Sequence, residues 1–380
     1  MATEAKNHTD CKLRSELETI LREEIARTGP ISFASFMQRA LYEPGVGYYQ
    51  QPSRVIGRGG DFFTSVSVGS VFGEMLACQI CAWLAEGPDT KPVHILEAGA
   101  HDGRLATDIL CFLSAHCAEF ADRIEYWILE PSSTRRAVQE EALVPFASRV
   151  RWASDWHGLP EEGIRGVIFA NELLDAMPVH RFGWDAGCKS WFEWGVDAGA
   201  QGFAWTRLPQ RAGVGGDPAR ALLPELPDAL LGVLPDGFVI EVSPDAADWW
   251  GRAAKSLRRG KIATFDYGFT LEQSLQPRRA GGSLRAYYRH QITSDLLAHP
   301  GEMDLTAHVN FTVLQTAGEA AGLRTDGLLT QAAFFTRITE LIERGAVRFP
   351  PWTPARLRQF HTLTHPGQMG EVFRVLVQGR

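Results

Sequence analysis

The stretch HILEAGAHDGRLATDIL, His94 to Leu110, joins an apolar run to a helical pattern through a turn that carries Gly99 and Gly103. The run reads as a buried strand, and Leu105, Ile109 and Leu110 recur at helical spacing after the turn. Outward from it the same rhythm repeats. IEYWILE is a second strand and SSTRRAVQEEAL a second helix, while RVRWAS and GVIFAN supply further strands. Strands alternating with helices predict a Rossmann-like α/β core, mostly parallel, with helices on both faces. EVFRVLVQ closes it as an antiparallel C-terminal edge strand.

In such a sheet a ligand lies at the carboxyl ends of the strands, where strand order reverses. The first turn must then be free of side chains where backbone meets ligand. A dinucleotide turn carries GxGxxG, whereas Gly99 and Gly103 give GxxxG with Glu97 two residues ahead. A carboxylate there opposes a pyrophosphate and suits a ligand with an ammonium and a sulfonium, such as S-adenosyl-L-methionine. Glu130 ends the second strand, where it can accept from ribose hydroxyls. Asp155 and Trp156 follow the third strand, suited to an adenine amino group and an adenine face. Each acid alone could be a solvated strand end; three in succession beside a glycine turn favour the cofactor reading.

The fourth strand runs into NELLDAMPVHRF, which puts Asn171 and Glu172 at the sheet edge and Asp175 three residues on. The bland alternative is a helix start capped by Asn171, with Asp175 near its N-terminus and Pro178 ending it.

The remaining chain divides into segments. Residues 1–90 read as an N-terminal helical segment with a cofactor-covering loop, in which Pro30 starts the second of two helices. Residues 91–180 are the first part of the core, 181–240 an inserted β-rich and Gly/Pro-rich subdomain, and 241–380 the remainder, with a second insertion near 269–310. In GRGGDFFTS, Asp61 and Thr64 either contact the cofactor or merely order the turn before a helix near Ser67.

Composition narrows the function classes. The formal net charge of −7 argues against a nucleic-acid partner, which requires a basic surface. No apolar run reaches the roughly 20 residues of a membrane helix. The N-terminus mixes acids with bases and has no apolar stretch, so neither a signal nor a transit peptide is expected, and the chain reads as cytoplasmic. Cys78 and Cys81 in CQIC lie in a helical pattern without a second half-site, so they read as buried thiols rather than metal ligands. No metal is expected.

Seven ordered signatures resemble the MidA-like family of class I S-adenosylmethionine-dependent methyltransferases. They are GPISFASFMQRALYEPGVGYY, GRGGDFFTSVSVGSVFGEML, NELLDAMPVHRF, FDYG, GGSLRAYYRH, DLTAHVNFTVL and MGEVFRVL. Two departures stand out. The family turn resembles E-x-G-x-G-x-G, and His101 replaces its central glycine; the family DLTAHVDF is DLTAHVNF here, with Asn310 for the acid. His101 either donates to the cofactor carboxylate or narrows the site.

The resemblance implies transfer of a methyl group to an arginine of a protein, since the family's mitochondrial member acts so in respiratory complex I assembly. A respiratory-complex subunit is then a candidate partner. Guanidinium is a poor nucleophile while protonated, and carboxylates can grip it and orient one nitrogen. Glu172 and Asp175 are the acids placed for that, with Asp304 and His308 of DLTAHV as a second pair. Other readings remain open: a small-molecule methyltransferase, a non-catalytic binding or assembly protein on this fold, and, more remotely, a nicotinamide dehydrogenase.

Overall fold

The computed structural model describes residues 16–51, 64–86, 92–209, 221–289, 291–345 and 347–380. The chain forms two compact units. One comprises residues 1–62, 176–246 and 269–310, and the other 63–175, 247–268 and 311–380. The boundary at 62/63 divides the expected 1–90 segment: residues 64–86 pack with the parallel-sheet unit.

That unit contains the strands β1 (Val93–Ala98), β2 (Ile124–Leu129), β3 (Val150–Ala153), β4 (Ile164–Asn171), β5 (Leu257–Phe269), β6 (Arg324–Thr330) and β7 (Phe373–Gly379). They lie in the order β3-β2-β1-β4-β5-β7-β6. β1 is parallel to both β2 and β4, with Leu96 opposite Trp127 on one side and Ile168 on the other. Chain order reverses at β1, which is where an open sheet offers a ligand crevice.

β7 is antiparallel as expected, but it is not an edge. It pairs with β5 on one side and with β6 on the other. β6 begins Arg-Thr-Asp-Gly, a turn-like composition that hid an edge strand from sequence reading. The helices Gln331–Glu343 and Pro354–Thr364 were likewise not anticipated.

Every residue of β1 is buried, and Ile95, Leu96, Val167, Ile168 and Phe169 have no exposure. A strand covered on both faces buries consecutive side chains, each contributing roughly 1.5–3 kcal/mol. The helix α1 (Val71–Ala85) packs beside α2 (Arg104–His116), and α3 (Ser133–Ala142) follows β2. Cys78 is a buried thiol, but Cys81 is disulfide-bonded to Cys117 at the end of α2, which corrects its reading as a free thiol. Among the described residues no group of His, Cys, Asp and Glu is arranged to hold a metal ion.

The other unit is built on antiparallel pairs. Ser190–Gly199 pairs with His180–Asp185 and with Gly202–Arg207, as the alternating sequence predicts. Pro30 does not start a helix: Ile31–Ser32 pairs instead with Gly195 and Val196. The helix Phe33–Tyr42 is capped by Ser32, whose Oγ accepts from Ser35 N at 3.1 Å. A hydroxyl side chain there satisfies an otherwise unpaired helix N–H. A second sheet joins Arg285–Tyr288 to Gln291–Thr293 and to Asp304–Thr306.

Candidate active site

Four adjacent parallel strands, β3, β2, β1 and β4, bring Asp155, Glu130, the Gly99–Gly103 turn and Asn171–Glu172 to one edge. Gly99, His101 and Gly103 all adopt positive φ, at 75°, 47° and 78°. The turn is therefore left-handed at three alternate residues, a conformation that favours glycine. This explains why the related pattern has a glycine where His101 stands. Gly103 precedes α2 and has no side chain to cap it; the first N–H of the helix, that of Arg104, donates instead to Asp102 Oδ1 at 3.1 Å.

A buried network ties the turn to its neighbours. Gln139, fully buried on α3, donates from Nε2 to His101 O at 3.1 Å and to Glu130 Oε2 at 2.9 Å, while its Oε1 accepts from Trp152 Nε1 at 3.1 Å. Glu130 Oε1 also accepts from Ser132 N at 2.9 Å. The carboxylate of Glu130 is thus fixed in place before any ligand arrives. Sequence reading missed Gln139 because a glutamine in RRAVQEE looks like a solvated helix face.

Glu97 is 2% exposed, and its Oε2 accepts from Tyr126 Oη at 2.6 Å. Burial pushes its carboxyl up to about 8, against the lowering effect of the Tyr126 bond and with a smaller rise from Asp102. The stability consequence has a definite sign. Between the unfolded value of about 4.3 and the folded value, the native state keeps a proton the unfolded chain has lost, so stability falls as pH rises. One such proton gives a slope of about 1.4 kcal/mol per pH unit. Urea unfolding of Glu97→Gln is expected to show a slope between pH 5 and 8 shallower by that amount; an unchanged slope refutes the assignment.

Asp155 is exposed, and its Oδ1 accepts from His157 N and Gly158 N, capping a short helical turn. The Trp156 ring lies 5.6 Å from that of Trp249. Thr64 accepts from Ser67 N through Oγ1 at 3.1 Å, which is the turn-ordering alternative; the helix itself starts at Val71. Asp61 lies outside the described residues.

At the end of β4 no helix follows. Residues 172–177 are bends and turns, which removes the helix-cap alternative for Asn171 and Asp175. Glu172 has φ 49°, costly for a residue with a Cβ, and its N–H donates to Phe265 O on β5. Its Oε1 accepts from Ser65 N at 2.9 Å and Asn171 Nδ2 at 3.1 Å. Asn171 Oδ1 is buried and has no partner among the described residues. Leu173 reaches back to the glycine turn, where a Cβ on Gly99 would stand 3.0 Å from its Cδ1.

What holds this segment is Asp266, fully buried on β5. Its Oδ2 accepts from Leu174 N at 2.9 Å and Asp175 N at 3.3 Å, and its Oδ1 from Tyr267 N at 2.9 Å. Burial, then the charge of Glu172, pushes its carboxyl well above the usual carboxylate range. The sequence signal for Asp266 is one acid inside an apolar strand, in FDYG.

Asp175 is 5% exposed, so its carboxylate is an interior group. Asp304 and His308 belong to the other unit. There Asp304 accepts from Tyr49 Oη at 2.7 Å, and the His308 ring packs on Phe269 at 4.4 Å. Burial, then Arg285 and Arg279, push His308 down to about 4, so its ring is neutral near pH 7.

The donor set can hold a cofactor with an amino-acid end, a ribose and an adenine: a left-handed turn at a helix start, a fixed carboxylate at Glu130, and a buried amide oxygen at Asn171 without a partner among the described residues.

Comparison with known proteins agrees with this. Residues 75–329 match the model of a family described as S-adenosyl-L-methionine-dependent methyltransferases. The protein arginine methyltransferase NDUFAF7 of Rattus norvegicus, a mitochondrial protein, is 29% identical over 97% of this chain and 84% of its own length. Its Drosophila melanogaster homologue is 28% identical over 94% of this chain and 83% of its own length. A crystal structure from Burkholderia thailandensis with S-adenosyl-homocysteine bound superposes with a TM-score of 0.84 at 31% identity, covering 98% of this chain and 94% of that one.

Proposed function

Since the chain belongs to the family of S-adenosyl-L-methionine-dependent methyltransferases, we propose that the group it methylates is an arginine side chain of a protein. The observation that carries this reading is Glu172, an acid held in a strained left-handed conformation at the carboxyl end of β4, beside the glycine turn. Backbone strain of this kind persists where surrounding bonds impose it, and it concentrates at working sites. The names of the arginine-modifying relatives support the same acceptor.

In this reading Glu97, Gly99, His101 and Gly103 receive the amino-acid end of the cofactor, Glu130 the ribose, and Asp155 and Trp156 the adenine, with Asn171 completing its contacts. When bound, the cofactor supplies a methyl group on a sulfonium. The Glu172 carboxylate grips the guanidinium, directs one nitrogen at the methyl carbon, and takes the proton that nitrogen loses on methylation. Asp266 works through the backbone of Leu174 and Asp175.

A respiratory-complex subunit is the candidate partner that the family resemblance implies. Among the described residues no helix is long and apolar enough to cross a membrane. A cytoplasmic location belongs to this reading.

The test is transfer of labelled methyl groups into a lysate, followed by mass spectrometry of the modified residue. Methylarginine in protein is the expected product; label confined to small molecules would overturn the arginine reading.

His101 gives a finer test. Its Nε2 is buried without a partner among the described residues, so it can donate to the cofactor carboxylate. His101→Gly should raise stability by about 0.5–1 kcal/mol, because left-handed strain is released. The same variant should bind S-adenosyl-homocysteine more weakly by calorimetry. Tighter binding would mean that the ring narrows the site instead.

A further inference from the structure

In the unit that contains the antiparallel sheets, a pocket opens beside the strand Val239–Val242, the turn Pro277–Arg279 and His308. It is shallow and partly open to solvent, with room for only a small group. Two charged side chains line it, Glu241 and Arg279. Glu241 is already balanced. Its Oε1 accepts from Arg181 Nη1 at 2.9 Å, and its Oε2 accepts from Ser283 N at 2.9 Å and Ser283 Oγ at 3.1 Å.

Arg279 has no such counterpart. Its guanidinium lies over the Phe269 ring at 3.6 Å from the centroid. Its Nε is buried with no hydrogen-bond partner, and among the described residues it forms no ion pair. An unmatched donor in a partly dry site is costly, and the ring contact leaves the N–H edges of the fork unused. Burial, then Arg278 and Arg285, lower the Arg279 pKa, so the surrounding field is positive. The neutral His308 adds no charge at pH 7.

We propose that this pocket binds a carboxylate, gripped by the Arg279 guanidinium with Nε as one donor. A planar monoanion matches the fork, the apolar walls of Ile240 and Phe269 accept its hydrocarbon part, and Glu241 on the same wall disfavours a doubly charged phosphate. The carboxylate has two sources: a small organic acid, or an aspartate or glutamate side chain of a bound protein.

Isothermal titration calorimetry on the full chain with benzoate, N-acetyl-aspartyl amide and inorganic phosphate tests this. Saturable binding of benzoate alone points to a small organic acid; binding of the aspartyl probe points to an acidic side chain. Either supports the proposal if Arg279→Gln weakens it by about tenfold or more while Arg278→Gln does not. Should Arg279→Gln fail to fold, the Nε–H resonance of Arg279 in the unsubstituted protein should move on titration with the same probe. No saturable binding, equal binding in a folded Arg279→Gln, or tighter binding of phosphate overturns it. None of these readouts depends on methyl transfer, so the acceptor proposal can fail without it.

Discussion

Gly99→Val is expected to abolish binding of S-adenosyl-homocysteine while leaving the protein folded. Gly99 has φ 75°, where a β-branched residue is strained by roughly 1–2 kcal/mol or more. That is tolerable against a typical stability of about 5–15 kcal/mol, so the chain should still fold. The local damage is larger. The new Cβ would stand 3.0 Å from Leu173 Cδ1, so it would press on the segment after β4 as well as reshape the turn. From the sequence the expected obstacle is a side chain in cofactor space; the structure adds that the side chain first meets Leu173. Gly99→Ala should therefore weaken binding rather than eliminate it. Calorimetry showing unchanged affinity in Gly99→Val would remove the glycine turn from the cofactor site.

Glu172→Gln is expected to lower methyl transfer by about a hundredfold or more, a loss of about 2.7–4 kcal/mol, with cofactor affinity preserved. The substitution is nearly isosteric. A glutamine oxygen can still accept from Ser65 N and Asn171 Nδ2, so the left-handed backbone and the contact to β5 should persist. What disappears is the charge that orients a guanidinium and the base that takes its proton. The measurement is labelled methyl transfer at saturating cofactor, paired with calorimetry on the same preparation. Full activity in the variant would deny Glu172 a catalytic role. Lost activity with lost cofactor binding would make it a structural residue of the cofactor site.

The parts of the site readable in sequence are those set by local pattern. Strand–turn–helix units around Gly99–Gly103 and Glu130 follow from apolar runs broken by glycine and acids, and the structure places them on adjacent parallel strands. Gln139 and Asp266 were not legible, because their partners lie on other elements: Gln139 meets His101 O and Trp152, and Asp266 meets the backbone of Leu174 and Asp175. A polar side chain looks the same in sequence whether it is solvated or satisfied across 91 residues of chain.

By itself the sequence determined that this chain builds an α/β core, because hydrophobic period and turn chemistry are local properties, and its ordered signatures carry the resemblance to a methyltransferase family. EVFRVLVQ also reads as an antiparallel edge strand, and β7 is antiparallel. Only the tertiary structure decided that β7 lies between β5 and β6, since lateral strand order depends on pairing between residues such as Leu376 with Thr264 and Leu328. It likewise decided that Glu172 adopts φ 49°, a conformation its own dihedral preference opposes and that its bonds to Phe265 O and Ser65 N impose.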